Sequence, residues 1–160
     1  MAAGKVESAE AAQADRELVL VRVFDAPRDL VWRAWTEPAR IAQWLGPRGF
    51  TGNVEKFEAR VGGKYRFHIR SADGRDMWMQ GVNREVEPPE RLVYTFAWAD
   101  QEGRPTGVET LVTVILDEIE RGKTRLTFRQ GRFESVSARD AHREGWTSTF
   151  DRLEETLRAA

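Results

Sequence analysis

The chain has 160 residues, a net charge of −1 and 41% hydrophobic residues, enough apolar material for one domain with its own core. The near-neutral balance argues against nucleic acid and anionic membranes as partners, because both are held by concentrated basic side chains. With no cysteine, the chain has no disulfide framework, no thiolate metal site and no cysteine nucleophile.

Residues 1–16 are rich in Ala and Glu and lack the apolar stretch of a signal peptide. They read as a disordered tail ahead of a single domain over residues 17–160. No apolar run approaches the roughly 20 residues that a membrane span needs, so the expectation is a cytoplasmic protein. Leu18 to Phe24 reads as the first strand. Asp25-Ala26-Pro27 then starts a helix, with an acceptor near the N-cap and proline at the first helical position. Leu30, Val31, Ala34 and Trp35 form its buried stripe. A second short helix after Pro38 carries Ile41, Trp44 and Leu45, and Gly46-Pro47 ends it.

From Thr51 the apolar period changes to two. The strand near Val54 and Phe57 breaks parity, which predicts a bulge. Tyr65, Phe67 and Ile69 alternate with Arg66, His68 and Arg70 after the Gly62-Gly63 turn. The strand from about Met77 to Val86 carries apolar groups on both faces, so its inward face stays open. Leu92, Tyr94, Phe96 and Trp98 share one face of the next strand. Val112, Val114 and Leu116 follow, and Arg121-Gly122 turns into Leu126, Phe128 and Gln130. Ser135 to Leu157 is a long amphipathic helix whose apolar residues Trp146, Phe150, Leu153 and Leu157 are spaced four, three and four. Ser137 with Asp140 resembles its capping box. The order is β-α-α-β-β-β-β-β-β-α, and hairpins without intervening helices make the six later strands antiparallel. A sheet with one apolar face needs a cover, and the terminal helix supplies it.

At this point several motifs resemble a known family. They are Val31-Trp32-Arg33-Ala34-Trp35-Thr36-Glu37-Pro38, Trp44-Leu45-Gly46-Pro47, Gly49-Phe50 and Gly62-Gly63-Lys64-Tyr65. The run Pro88-Pro89-Glu90-Arg91-Leu92-Val93-Tyr94-Thr95-Phe96, with Thr124-Arg125-Leu126-Thr127 and His142-Arg143-Glu144-Gly145-Trp146, continues the match in order. Together they span about Leu18 to Leu157 and resemble bacterial proteins related to the C-terminal domain of the activator of heat-shock protein 90 ATPase, in the START/Bet v 1-like (SRPBCC) superfamily. Leu45 departs from the pattern, since many relatives carry a second aromatic there, and that would reshape one end of a pocket. The resemblance implies an α+β helix-grip fold: a curved antiparallel sheet of about seven strands around a long C-terminal helix, with two short helices after the first strand and a cavity between sheet and helix. It also brings stress response among the expected roles. The superfamily holds lipid binders, polyketide cyclases and co-chaperone domains, so fold alone does not choose a function.

Six Trp and eight Phe against two Tyr supply core area and can also line a cavity for an apolar ligand. The leading expectation is therefore a binding protein for a small hydrophobic molecule, lipid-like or aromatic, with no cofactor and no metal. The expected lining comprises Trp35, Trp44, Phe50, Tyr65, Phe67, Phe96, Trp98, Val112, Val114, Phe128, Trp146 and Phe150. Gln80, Arg84, Gln130 and His142 are its polar members, since a few convergent polar groups fix a ligand's orientation. A polar residue at such a place is as often satisfied by backbone or a neighbouring charge. For His142 a hydrogen-bonded rim histidine is the commoner case than an acid or base, and His68 belongs on the wet face. Arg48 stands where a pocket mouth is expected.

Two alternatives stay open. One is a cyclase- or hydratase-type enzyme in which the cavity positions a substrate and His142 or Arg84 moves a proton. The other is a chaperone-associated module, which the resemblance alone suggests. Only about sixteen residues precede the first strand, which counts against the additional N-terminal domain of the eukaryotic activator. Sheet edges and exposed aromatics invite a homodimer.

Overall fold

The computed structural model describes residues 15–160. The tail expected over residues 1–16 lies outside these except for Asp15 and Arg16, whose main-chain carbonyls accept from Arg139 and Phe133. Seven strands form one curled antiparallel sheet: β1 (Leu18–Phe24), β2 (Phe50–Phe57), β3 (Lys64–Ser71), β4 (Asp76–Glu87), β5 (Arg91–Ala99), β6 (Thr110–Glu120) and β7 (Lys123–Gly131). Their spatial order is β1-β7-β6-β5-β4-β3-β2, so every later strand pairs with its sequence neighbour and only β1 pairs at a distance. Helices α1 (Arg28–Thr36) and α2 (Pro38–Trp44) follow β1, and α3 (Val136–Ala159) ends the chain. This is the helix-grip architecture.

Alternation sets which side chains face the helix. Val112, Val114 and Leu116 of β6 and Leu126, Phe128 and Gln130 of β7 are buried beneath α3, whose Phe150, Leu153 and Leu157 meet them. Register shifts lie between Val54 and Lys56, between Asn83 and Glu85, and between Glu118 and Glu120. Such irregularities bend and twist a strand; the first is the bulge that broken parity predicted. The open phase of β4 has a definite answer: Met77, Met79 and Asn83 face inward, while Trp78 stacks on His68 outside, with ring centroids 4.7 Å apart.

Helices α1 and α2 close one end of the grip. Val31, Trp32, Ala34 and Trp35 are buried on α1, and Trp44 of α2 donates its indole N–H to the Ala34 carbonyl at 3.0 Å. Gly46 then takes φ of 90°, a left-handed conformation that ends the helix and that other residues rarely adopt. Arg152 of α3 donates to the carbonyls of Leu45 (2.9 Å) and Gly46 (2.7 Å), which binds this turn to the long helix.

Two helix starts differ from the sequence expectation. Pro27 is the N-cap of α1 rather than its first helical residue, and Asp25 lies near Lys123 at 3.8 Å instead of capping. For α3 the cap is Ser135, whose Oγ accepts from the Ala138 N–H at 3.0 Å, while Asp140 pairs with Arg139. Ser137 lies two residues later, in the first turn of the helix. Ser135→Ala should therefore cost about 1 kcal/mol in urea denaturation, whereas Ser137→Ala should cost nothing and gain up to a few tenths.

Candidate binding cavity

Between the sheet and α3 the core is incompletely filled, and two adjoining chambers result. The inner one lies under α1 and α2 against β3, β4 and β5, and holds only about 20 Å³ of free space. That suffices for one water-sized group. The outer one, about 360 Å³, opens beside the N-terminal half of α3, between Phe50, Ile69, Met77 and Trp98 on one side and His142 and Gly145 on the other. Leu45, Met79, Phe96 and Trp146 belong to both chambers and form the partition. Pro47, exposed Arg75 and exposed Ala141 border the outer chamber toward solvent.

Most polar groups around this space are already paired. Trp146 donates its indole N–H to Gln130 Oε1 at 2.7 Å, and Gln130 Nε2 donates to Thr110 Oγ1 at 2.9 Å. Gln130 is 0% exposed, so this chain of bonds fixes Trp146 from beneath. Tyr65 donates to the Thr95 carbonyl at 2.6 Å. Burial pushes the Tyr65 and Tyr94 hydroxyls far above the usual phenol range, so both stay neutral.

His142 is held at both nitrogens. Trp98 can only donate, so its 3.1 Å bond to Nε2 makes that nitrogen the acceptor. Nδ1 then carries the hydrogen and donates to the Ala138 carbonyl at 3.0 Å. Burial lowers the pKa from its ordinary 6.5, and the Ala138 bond and the Glu134 charge oppose this more weakly. Protonation would also break the Trp98 bond. Because the folded pKa is depressed, the neutral ring contributes stability above about pH 6.5 that is lost as pH falls through the lower folded value. His142→Gln should flatten that part of the stability–pH curve in denaturation titrations between about pH 7 and about pH 5.

The sequence profile of the Activator of Hsp90 ATPase homolog 1-like proteins matches residues 25–158. The chain belongs to this family. Solved structures agree with the AHSA1-like assignment. A protein from Arthrobacter aurescens is 27% identical with a TM-score of 0.83, covering 92% of this chain and 88% of that one. A protein from Chromobacterium violaceum is 28% identical at a TM-score of 0.80, covering 89% and 96%. The AHSA1 protein from Silicibacter pomeroyi is 25% identical at 0.81, covering 89% and 98%. No curated protein matches the chain in sequence.

In this AHSA1-like chain Trp35, Trp44, Tyr65 and Phe67 line the inner chamber, Phe50, Trp98 and His142 the outer, and Phe96 and Trp146 both. Val112, Val114, Phe128 and Phe150 are buried in the core and border neither chamber; strand parity finds the inward face but not the depth along it. Gln130 points inward yet is consumed by Trp146 and Thr110. Gln80 and Arg84 must be corrected, because both lie on the outer face. Gln80 accepts from Arg66 at 2.8 Å and donates to the Gly103 carbonyl at 2.8 Å, while Arg84 is exposed at the β4 irregularity. Arg48 pairs with Glu155 at 2.5 Å and its main-chain N–H meets Ser148 at 2.8 Å, on the outside of α3. Leu45, the departure from the family pattern, stands in the partition.

Sequence reasoning missed Asn83, Met77 and Met79, because the phase of β4 was open. Asn83 is 1% exposed and lines the inner chamber. Its Nδ2 donates to the Glu58 carbonyl at 2.8 Å, and its Oδ1 has no partner. Among the described residues, no three His, Asp or Glu side chains converge in a metal-binding geometry, and no helix is long and apolar enough to cross a membrane.

Proposed function

We propose that this AHSA1-like protein binds a small hydrophobic molecule in the paired chambers between the sheet and α3. The observation that carries this reading is the outer chamber: about 360 Å³ of space with walls of Phe50, Ile69, Met77, Phe96, Trp98 and Trp146. Binding pockets for small molecules span about 300–1,000 Å³ and are mostly apolar with few polar groups. The chamber opens toward solvent, so its apolar walls are wetted when it is empty, and covering them with an apolar molecule gains about 25 cal/mol per Å² removed from water.

The fixed tautomer of His142 and the outward position of Arg84 favour binding over acid–base catalysis, because neither residue offers the cavity a free proton-transfer group. A neutral fluorescent dye, N-phenylnaphthylamine, provides the test. Saturable enhancement at one dye per chain, lost when Met77 is replaced by Glu at the chamber wall, supports the proposal. Absence of saturable enhancement in the unaltered protein rejects it. Stimulation of a bacterial Hsp90 ATPase by equimolar protein, unaffected by Met77→Glu, would move the function to the outer surface.

A further inference from the structure

We propose that the ligand is neutral and carries a hydroxyl group, as phenols and alcohols do, with that hydroxyl seated in the inner chamber. The inference rests on the binding reading above and adds the ligand's chemical class. Asn83 Oδ1 and Trp35 Nε1 are buried side-chain atoms without a hydrogen-bond partner, and both residues line the inner chamber. Their residues are 1% and 5% exposed, respectively. The orientation of Asn83 is fixed, because its Nδ2 must face the Glu58 carbonyl; Oδ1 is therefore the atom left over.

A buried orphan acceptor and a buried orphan donor are each costly to leave unmade. A hydroxyl has both capacities that are missing here: it can donate to an amide oxygen such as Asn83 Oδ1 and accept from an indole N–H such as that of Trp35. The free space of about 20 Å³ matches one such group and no larger head. No charged side chain lines the inner chamber, so a carboxylate there would be desolvated without a counter-charge. The body of the ligand would lie in the outer chamber. Its tip passes the partition at Met79, whose three rotatable bonds let the side chain yield.

Competition against bound N-phenylnaphthylamine with three probes of similar shape tests the assignment. Para-butylphenol carries the hydroxyl, para-butyltoluene replaces it with a methyl group, and para-butylbenzoate replaces it with an anion. Hydrophobicity alone ranks the toluene first, whereas the inferred site ranks the phenol first by about tenfold. Asn83→Leu should abolish that preference, each competitor being compared against dye bound to the same variant. If that variant does not fold, Trp35→Phe, which keeps most of the ring, should reduce the preference about threefold. A toluene that competes as well as the phenol, a benzoate that competes best, or dye that none of the three displaces overturns the hydroxyl assignment and leaves the binding reading standing. Failure of the dye itself to bind removes both.

Discussion

Trp146→Ala should destabilise the protein by about 3 kcal/mol, at the low end of the range for removing a large buried aromatic. Two opposing effects set that figure. Trp146 lies against Phe128 (centroids 4.6 Å), Phe150 (5.6 Å) and Trp35 (6.4 Å), so truncation strips contacts from three core aromatics. It also leaves Gln130 Oε1 buried without its donor, a loss of about 1–3 kcal/mol by itself. Against this, Trp146 is only half-buried and already borders both chambers, so part of its surface had no packing partner to lose. Trp146→Phe keeps one aromatic ring against the core but loses the indole N–H and the second ring, and should lose about 1–2 kcal/mol. Removing the partition merges the chambers, so dye affinity should fall by up to about tenfold in the Ala variant as its stacking face disappears. Urea denaturation and dye titration on the same samples separate the two effects. A variant unchanged in both would mean that this face of α3 does not meet the sheet.

The architecture was legible wherever one face of an element is buried and the other wet. The stripe of Phe150, Leu153 and Leu157 on α3, and the alternation of Leu126 and Phe128 on β7, each admit one orientation only. Resemblance to the family supplied the same fold from separate motifs. Legibility failed on β4. Its outer face carries Trp78, which lies over His68 and receives the Arg66 guanidinium 5.7 Å from its ring. An aromatic on the wet side imitates a core residue, and with both faces apolar the parity of Gln80, Arg84 and Asn83 could not be assigned. That single ambiguity exchanged two outward residues for the one inward amide that matters. The depth of the cavity was also beyond the sequence. Phe128 and Phe67 both face inward, yet one is sealed beneath α3 and the other walls a chamber. The difference comes from where α3 stops covering the sheet, which strand periodicity does not encode. Hydrogen-bond satisfaction is likewise a three-dimensional property: Gln130 and Asn83 are both buried amides, and only the first has Trp146 and Thr110 within reach.

Gly81→Ala should cost about 3 kcal/mol or more and enlarge the inner chamber, although Gly81 lies in a strand where alanine is ordinarily harmless. Gly81 pairs with Tyr65 across β3 and β4. A Cβ built on it would come within 1.9 Å of the Thr95 carbonyl oxygen, which is backbone and cannot swing aside. That same carbonyl accepts the Tyr65 hydroxyl at 2.6 Å, and the Thr95 hydroxyl accepts from the Val82 N–H at 2.9 Å. A methyl group there forces β4 and β5 apart at the irregularity that follows, between Asn83 and Glu85. Relief by moving β5 lengthens the Tyr65 bond and strands a buried hydroxyl, whereas relief by moving β4 shifts Met79 and Asn83. Either displacement alters the walls of the inner chamber, and reaches the outer one only through the shared partition residues Met79 and Phe96. Dye held in the outer chamber should therefore still bind, while the preference for para-butylphenol over para-butyltoluene should shrink. Tyr65→Phe serves as the comparison, since it removes the same hydrogen bond without adding volume and should lose only about 1 kcal/mol. A Gly81→Ala protein as stable as Tyr65→Phe would show that the close approach of Gly81 to Thr95 does not hold in solution, and the account of the inner chamber would fall with it.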